Sequence, residues 1–194
     1  MGSPQARLTL ASTSPQRRAI LEQLRIPFEV LAPTYVEHDP PDFEPAELVR
    51  AHAEGKACSV HEEGRLTLGV DTTVVLDERS YGKPEDVEAA TRMLHDLSGR
   101  THMVVSGLCL LGPEVDLVVH EVTAVTFRPL TAPLLTTYLE SGEWEGRAGA
   151  YAIQGLGGRL VERIEGDYLN VVGLPGALLL SLLELHAPKM LEKA

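Results

Sequence analysis

Hydrophobic and polar positions along the 194-residue chain switch repeatedly between two periods. Apolar or alternating runs at 8–11, 28–31, 66–76, 102–111, 115–127 and 159–164 carry the period of two that predicts strands. Between them, apolar residues recur at helical spacing. Ile20, Leu21 and Leu24 form a stripe in a helix that starts at Pro15, with Ser14 as its N-cap. PAELVRAHAEGKACSVH reads as a second helix. In a third, EDVEAATRMLHDL, Val87, Ala90, Leu94 and Leu97 share one face, acidic residues occupy the first turn and Gly99 is the stop. A fourth follows Pro133 through Leu135, Tyr138 and Leu139 to Gly142, and the last runs from about Pro175 to His186. Such interleaving predicts a mixed α/β chain. LLGPEVDLVV reads as a hairpin around Gly112 and Pro113, so the sheet is expected to be partly antiparallel and a plain Rossmann order is disfavoured. No repeat, low-complexity tract or linker breaks the pattern, which predicts one domain over 1–194 made of two closely joined lobes.

Composition changes this picture mainly by narrowing the partners. With 44% hydrophobic and 23% charged residues the chain is an ordinary globular sequence. Its formal net charge of -11 argues against coating a nucleic acid or an anionic membrane, so any anion site must be local. Cys58 and Cys109 lack CxxC spacing; neither a disulfide framework nor a zinc site is expected, and both read as core residues in a reducing cytoplasm. GALLLSLLEL is too short to span a bilayer, and no basic region leads into a long apolar run.

Three stretches break the structural pattern and suggest chemistry. In LTLASTSPQRRAILEQL, Arg17 stands where a capping box would place Glu or Gln, with Arg18 beside it, against the sign of the helix dipole. The hydroxyls of Ser12, Thr13 and Ser14, the free amides of the first turn and two guanidiniums all suit a phosphate; solvated surface arginines are the alternative. In LTLGVDTTVVLDERSYGKPED, Asp71 interrupts a strand-like apolar run. Burying a carboxylate costs several kcal/mol unless it is paired, hydrogen-bonded or metal-bound. Candidate partners are Lys83, after an apparent hairpin turn, Lys56, Arg17 or a divalent cation, with a hydrogen bond to a nearby turn as the alternative.

The third stretch, GRAGAYAIQGLGGRLVERIEGDYLNVVGLP, surrounds Gln154 with small residues. An amide offers the donor and acceptor needed to read a uracil or thymine edge, or it simply occupies a turn. GLGGRL has the wrong spacing for a dinucleotide motif. Triphosphate hydrolysis needs charge neutralisation, an aligned water and a proton acceptor. Glu37 and Asp71 are candidate ligands for a divalent cation, while Arg17, Lys56 and Lys83 are candidates for phosphate oxygens. Neither a Walker GxxxxGKS/T nor an HExxH occurs, and the seven histidines are scattered.

Together these segments resemble the Maf family of nucleotide pyrophosphatases. ASTSPQRRAIL is similar to the family's opening S-x-S-P-R-R segment. GVDTTVVLD, GKP and LSGRTH resemble its central block, and AGAYAIQGLGG with NVVGLP its closing block, over about 8–183. The resemblance implies an α/β, Maf/ITPase-like fold, with a mixed elongated sheet, flanking helices and two lobes around a central cleft. It implies hydrolysis of a nucleoside triphosphate between the α and β phosphates, with Mg²⁺ or Mn²⁺, by a cytoplasmic homodimer. By position, Asp71 matches the proposed proton acceptor, Ser14 and Arg17 the phosphate-binding loop, and Lys56, Lys83 and Glu37 charged cleft residues. Thr72 and Gln154 match the branch acting on dTTP and UTP; the branch acting on 7-methyl-GTP has an acidic group in place of the glutamine. The expected site is thus Asp71 and Lys83 in catalysis, Glu37 and Asp71 on the metal, and Ser12, Ser14, Gln16, Arg17, Arg18, Lys56, Thr72 and Gln154 on the substrate. Gln16 departs from an arginine in the pyrimidine branch, and Val36 from an acidic residue before the glutamate, which leaves room for other or modified pyrimidines. Asp71 as base or as metal ligand stays open. The alternatives are 7-methyl-GTP hydrolysis and a non-catalytic nucleotide sensor linked to cell division.

Overall fold

The computed structural model describes residues 7–40 and 43–191. Along the chain come β1 (Leu8–Ala11), α1 (Pro15–Gln23), β2 (Phe28–Leu31), α2 (Pro45–Cys58), β3 (Leu66–Leu76), β4 (Arg79–Tyr81) and α3 (Val87–Leu97). They continue with β5 (Thr101–Gly112), β6 (Val115–Phe127), α4 (Ala132–Glu140), β7 (Val161–Glu165), α5 (Tyr168–Val172) and α6 (Gly176–His186). One seven-stranded sheet has the order β2-β1-β3-β5-β6-β7, with β4 also paired to β3. The pairs of β1 with β2 and β3 are parallel, and the remaining pairs are antiparallel. The hairpin expected at Gly112 and Pro113 joins β5 to β6, with Gly112 opposite Val115.

Three readings of the sequence need correction. The run at 159–164 is not one strand: a 3₁₀ turn occupies Gly155–Arg159, and β7 starts at Val161. The three-residue β4 and five-residue α5 escape a periodicity reading because neither repeats its pattern long enough to be seen. Cys109 is buried, but Cys58 is exposed. Ala57 already faces the sheet, and one residue further along a helix points about 100° away.

Successive strand residues point to opposite faces, and this sorts the two central strands. On one face, Leu68 and Val70 of β3 and Leu108 and Leu110 of β5 join a core closed by α1 and α6 through residues such as Ile20, Leu21, Leu179 and Leu183. Further along the same face, Val74, Leu76 and Val104 join a second core with Leu94 and Leu97 of α3 and Leu135 and Tyr138 of α4. Thr72 and Ser106, paired across the strands, lie between the two cores. On the opposite face α2 lies directly on the sheet. A Cβ at Gly69 would come within 2.0 Å of the Ala53 carbonyl oxygen, and one at Gly107 within 2.1 Å of that of Val49.

The edge of β3 opposite β5 is interrupted. β1 pairs with β3 only as far as Gly69, and β4 pairs only from Val74. Among the described residues no strand covers 70–73 on that side. Asp71 and Thr72 therefore sit at a gap in the sheet, open to side chains arriving from both faces.

The contact between α2 and the sheet is specific enough to test. Gly107→Ala should lower the unfolding free energy by about 1–3 kcal/mol, the usual cost of overpacking, in a denaturant titration. An unchanged midpoint would contradict this seating of the helix that carries Lys56.

Candidate active site

A cavity of about 460 Å³ opens at this gap. Its wall takes Ser12, Ser14, Gln16 and Arg17 from the β1–α1 corner, Glu37 from the loop after β2, Lys56 from α2, Thr72 from β3 and Lys83 from the segment after β4. The corner forms because Ser14 caps α1, its side-chain oxygen accepting from the Arg17 N–H at 3.5 Å, while Ser12 Oγ accepts from the Ser14 N–H at 3.2 Å. No acidic residue occupies the first turn of α1. Arg17 is braced by protein acceptors: Nε donates to the Gly173 carbonyl at 2.9 Å, one terminal nitrogen to Ser12 Oγ at 3.2 Å and the other to Thr72 Oγ1 at 3.3 Å. Each terminal nitrogen carries a second N–H, so the fork can hold an anion while staying fixed. Burial lowers the Arg17 pKa from its ordinary value, opposed by the charges of Asp71 and Glu37.

Lys56 approaches from the other face. Its ammonium lies 2.5 Å from Asp71 Oδ1 and 2.6 Å from Glu37 Oε1, and its side chain is only 9% exposed. Thus the partner of Asp71 is Lys56, not a turn. Asp71 does not itself form the cavity wall; Lys56 stands in front of it. Partial burial works to raise the Glu37 carboxyl. The hydrogen bond from Lys56 and the charges of Lys56, Lys83 and His52 outweigh it and hold the pKa below its ordinary 4.5.

A second cavity of about 330 Å³ continues from the first. The two share Gln16, Arg147, Tyr151, Val171 and Val172, and Gln154 lines the second. Glu143 shapes this end by accepting from the Leu156 and Gly157 N–H groups, both at 3.1 Å, which fixes the turn after Gln154. The Tyr151 hydroxyl lies 2.9 Å from Nε2 of His102, and burial pushes its own pKa upward. His102, Phe127 and Tyr151 stack edge to face behind the wall.

A Maf-like protein family model matches residues 7–186. The chain belongs to the Maf family. A family member from Symbiobacterium thermophilum named dTTP/UTP pyrophosphatase is 46% identical over 170 residues, covering 87% of this chain and 88% of its own. Another of that name from Nitratidesulfovibrio vulgaris is 47% identical over 178 residues, covering 90% of this chain and 85% of its own. A solved structure of a HAM1 protein from Coxiella burnetii aligns with a TM-score of 0.44 and 16% identity, over 63% of this chain and 73% of that one.

In this Maf protein nearly all the residues singled out in the sequence converge. Ser12, Ser14, Gln16, Arg17, Glu37, Lys56, Thr72 and Lys83 share the first cavity, Asp71 lies behind Lys56, and Gln154 stands in the adjoining one. Arg18 does not join them: it is exposed and outside both walls, because the next residue along α1 turns away from Arg17. Arg147 and Tyr151 line both cavities and were passed over in the sequence. Among the described residues the buried Arg147 Nε has no hydrogen-bond partner. Its signal in the sequence is a lone cation at the head of the small-residue run AGAYAIQG.

The aromatic backing of the cleft gives a pH test. Burial pushes His102 down to about 4 from an ordinary 6.5. Between those values the unfolded chain binds the proton that the folded chain refuses, so this contribution to stability is lost as pH falls from 6.5 toward 4. In His102→Leu that loss is absent, and the difference in denaturation midpoint between wild type and variant should shrink on acidification. Curves that stay parallel would contradict the buried neutral imidazole.

Proposed function

We propose that this Maf protein hydrolyses dTTP and UTP between the α and β phosphates, releasing the monophosphate and pyrophosphate. The observation that carries the reading is the meeting of Arg17, Lys56, Lys83, Glu37 and Thr72 in one cavity that leads into a second one containing Gln154. The relatives named dTTP/UTP pyrophosphatase support it over most of their length. In this reading the triphosphate lies along the first cavity and the base in the second, where the Gln154 amide faces the pyrimidine edge. Arg147, at the boundary of the two cavities, then serves the phosphate nearest the sugar.

Glu37 and Asp71 fit a divalent cation. Both are hard oxygen donors that reach the same ammonium within 2.6 Å, so their oxygens already converge. Among the described residues no group of three or more His, Cys, Asp or Glu side chains surrounds one point. Two carboxylates with the remaining positions left to phosphate and water is the pattern of a Mg²⁺ or Mn²⁺ ion that arrives with its nucleotide. Such an ion, when bound, supplies neutralisation of phosphate charge.

The protein groups then divide the work. An entering triphosphate competes for the Lys56 ammonium and draws it off Asp71 and Glu37, freeing both carboxylates. Asp71 accepts a proton from a water as its oxygen bonds to the α-phosphorus and the bond from that phosphorus to the bridging oxygen breaks, with the electron pair leaving on pyrophosphate. Lys83, Lys56 and the Arg17 fork stabilise the negative charge that grows on the phosphate oxygens. A cytoplasmic homodimer belongs to the same reading. Met103 and Val122 are exposed apolar residues on neighbouring strands of one sheet face, which suits a second copy. No helix among the described residues is long and apolar enough to cross a membrane.

The assay is pyrophosphate release from a panel of nucleoside triphosphates with Mg²⁺ or Mn²⁺. Turnover of dTTP and UTP ahead of the purine nucleotides, and a kcat at least about a hundredfold lower for Asp71→Asn, are expected. Full activity of Asp71→Asn would remove the proposed base, preference for 7-methyl-GTP would overturn the pyrimidine assignment, and tight binding without product would indicate a sensor.

A further inference from the structure

The loop after β2 carries Glu37, and its residues 34–39 are tied to α2. The Thr34 N–H donates to Ser59 Oγ at 3.2 Å, at the C-terminal end of the helix. The Tyr35 hydroxyl lies 3.1 Å from Nδ1 of His52, and Asp39 Oδ1 lies 2.8 Å from Nε2 of the same ring. Between those two contacts Glu37 reaches Lys56, one helical turn beyond His52. Residues 35, 37 and 39 thus touch His52, Lys56 and His52 again, as in an extended segment laid along a helix face. The Tyr35 ring sits over Gly55: a Cβ there would fall 2.3 Å from the ring carbon Cε2.

His52 is buried, at 3% exposure, whereas Glu37 and Asp39 are exposed. Apolar burial therefore does little to place the middle of the loop, and the polar ties must do so. The ring bridges both ends, with Nε2–H donating to Asp39 and Nδ1 sharing a hydrogen bond with the Tyr35 hydroxyl. We infer that His52 is a positioning residue that clamps the loop two residues to either side of Glu37 and holds that carboxylate beside Lys56 and Asp71. The inference rests on the reading of Glu37 as a group that serves the nucleotide and its cation. It adds a residue that the sequence classed among scattered histidines.

The test compares wild type with His52→Leu, Tyr35→Phe, His52→Gln, Glu37→Gln and the double variant His52→Leu with Glu37→Gln. Amide hydrogen exchange, which needs no substrate, should quicken at 35–39 in His52→Leu and in Tyr35→Phe while the β3 and β5 amides keep their protection. With dTTP, His52→Leu should lower kcat about tenfold, the lower end of what loss of a supporting partner costs. His52→Gln, which keeps a donor for Asp39, should recover part of it. The double variant should be no slower than Glu37→Gln alone, because His52 acts through Glu37. Unchanged exchange at 35–39, or losses that multiply in the double variant, would overturn the clamp. A wild type that releases no pyrophosphate would sink the catalytic reading, while the exchange comparison would still decide the clamp.

Discussion

The structure depends on how it accommodates a carboxylate in the middle of its central sheet. Asp71 lies in the middle of β3, between the buried Val70 and Thr73, and the ammonium of Lys56, itself nearly buried, compensates it at 2.5 Å. Stripping one partner from a fully buried pair of this kind costs about 3–5 kcal/mol, comparable with much of a domain's net stability. Here the pair is half relieved by the gap in the sheet, since Glu37 joins it from an exposed loop and the cavity lies in front of Lys56. In the proposed reaction this lysine exchanges its carboxylate partners for phosphate when the nucleotide arrives.

The gap explains why cations from opposite faces of a sheet meet. Thr72 and Asp71 are consecutive residues and point to opposite sides, so Arg17 reaches the first from the α1 side while Lys56 reaches the second from the α2 side. In a continuous sheet these groups would be separated by backbone. Because β1 stops at Ala11, opposite Gly69, and β4 ends at Tyr81, opposite Val74, the sheet is open between them and both cations border the same space. The two hydrophobic cores on either side hold this opening apart, as Leu68 and Val70 belong to one and Val74 and Leu76 to the other. The cavity thus opens where the packing is interrupted, beside Thr72, whose hydroxyl pairs with that of Ser106.

Much of this could be read from the sequence, for identifiable reasons. Long periodic elements such as β3, β5, β6 and α3 announce themselves, and a charge in an apolar strand demands a partner, which pointed to Asp71 and its lysines. What stayed hidden depends on three-dimensional proximity. Nothing in the local pattern distinguishes Lys56 from Lys83 as the direct partner of Asp71, nor separates the inward Arg17 from the outward Arg18. Little in the sequence singles out Arg147, whose Nε is buried where the two cavities meet. His52 reads as one of seven scattered histidines, and its role rests on Tyr35 and Asp39 closing on the same ring.

The central claim is that side chains from both faces of the sheet hold one polyphosphate chain at this gap. A crystal structure with a dTTP analogue that cannot be cleaved between the α and β phosphates tests it most directly. The account predicts density for the three phosphates running among Arg17, Lys56 and Lys83, with the Lys56 ammonium withdrawn from Asp71 and the pyrimidine beside Gln154. Phosphates bound elsewhere, with the Lys56–Asp71 pair left intact, would contradict it.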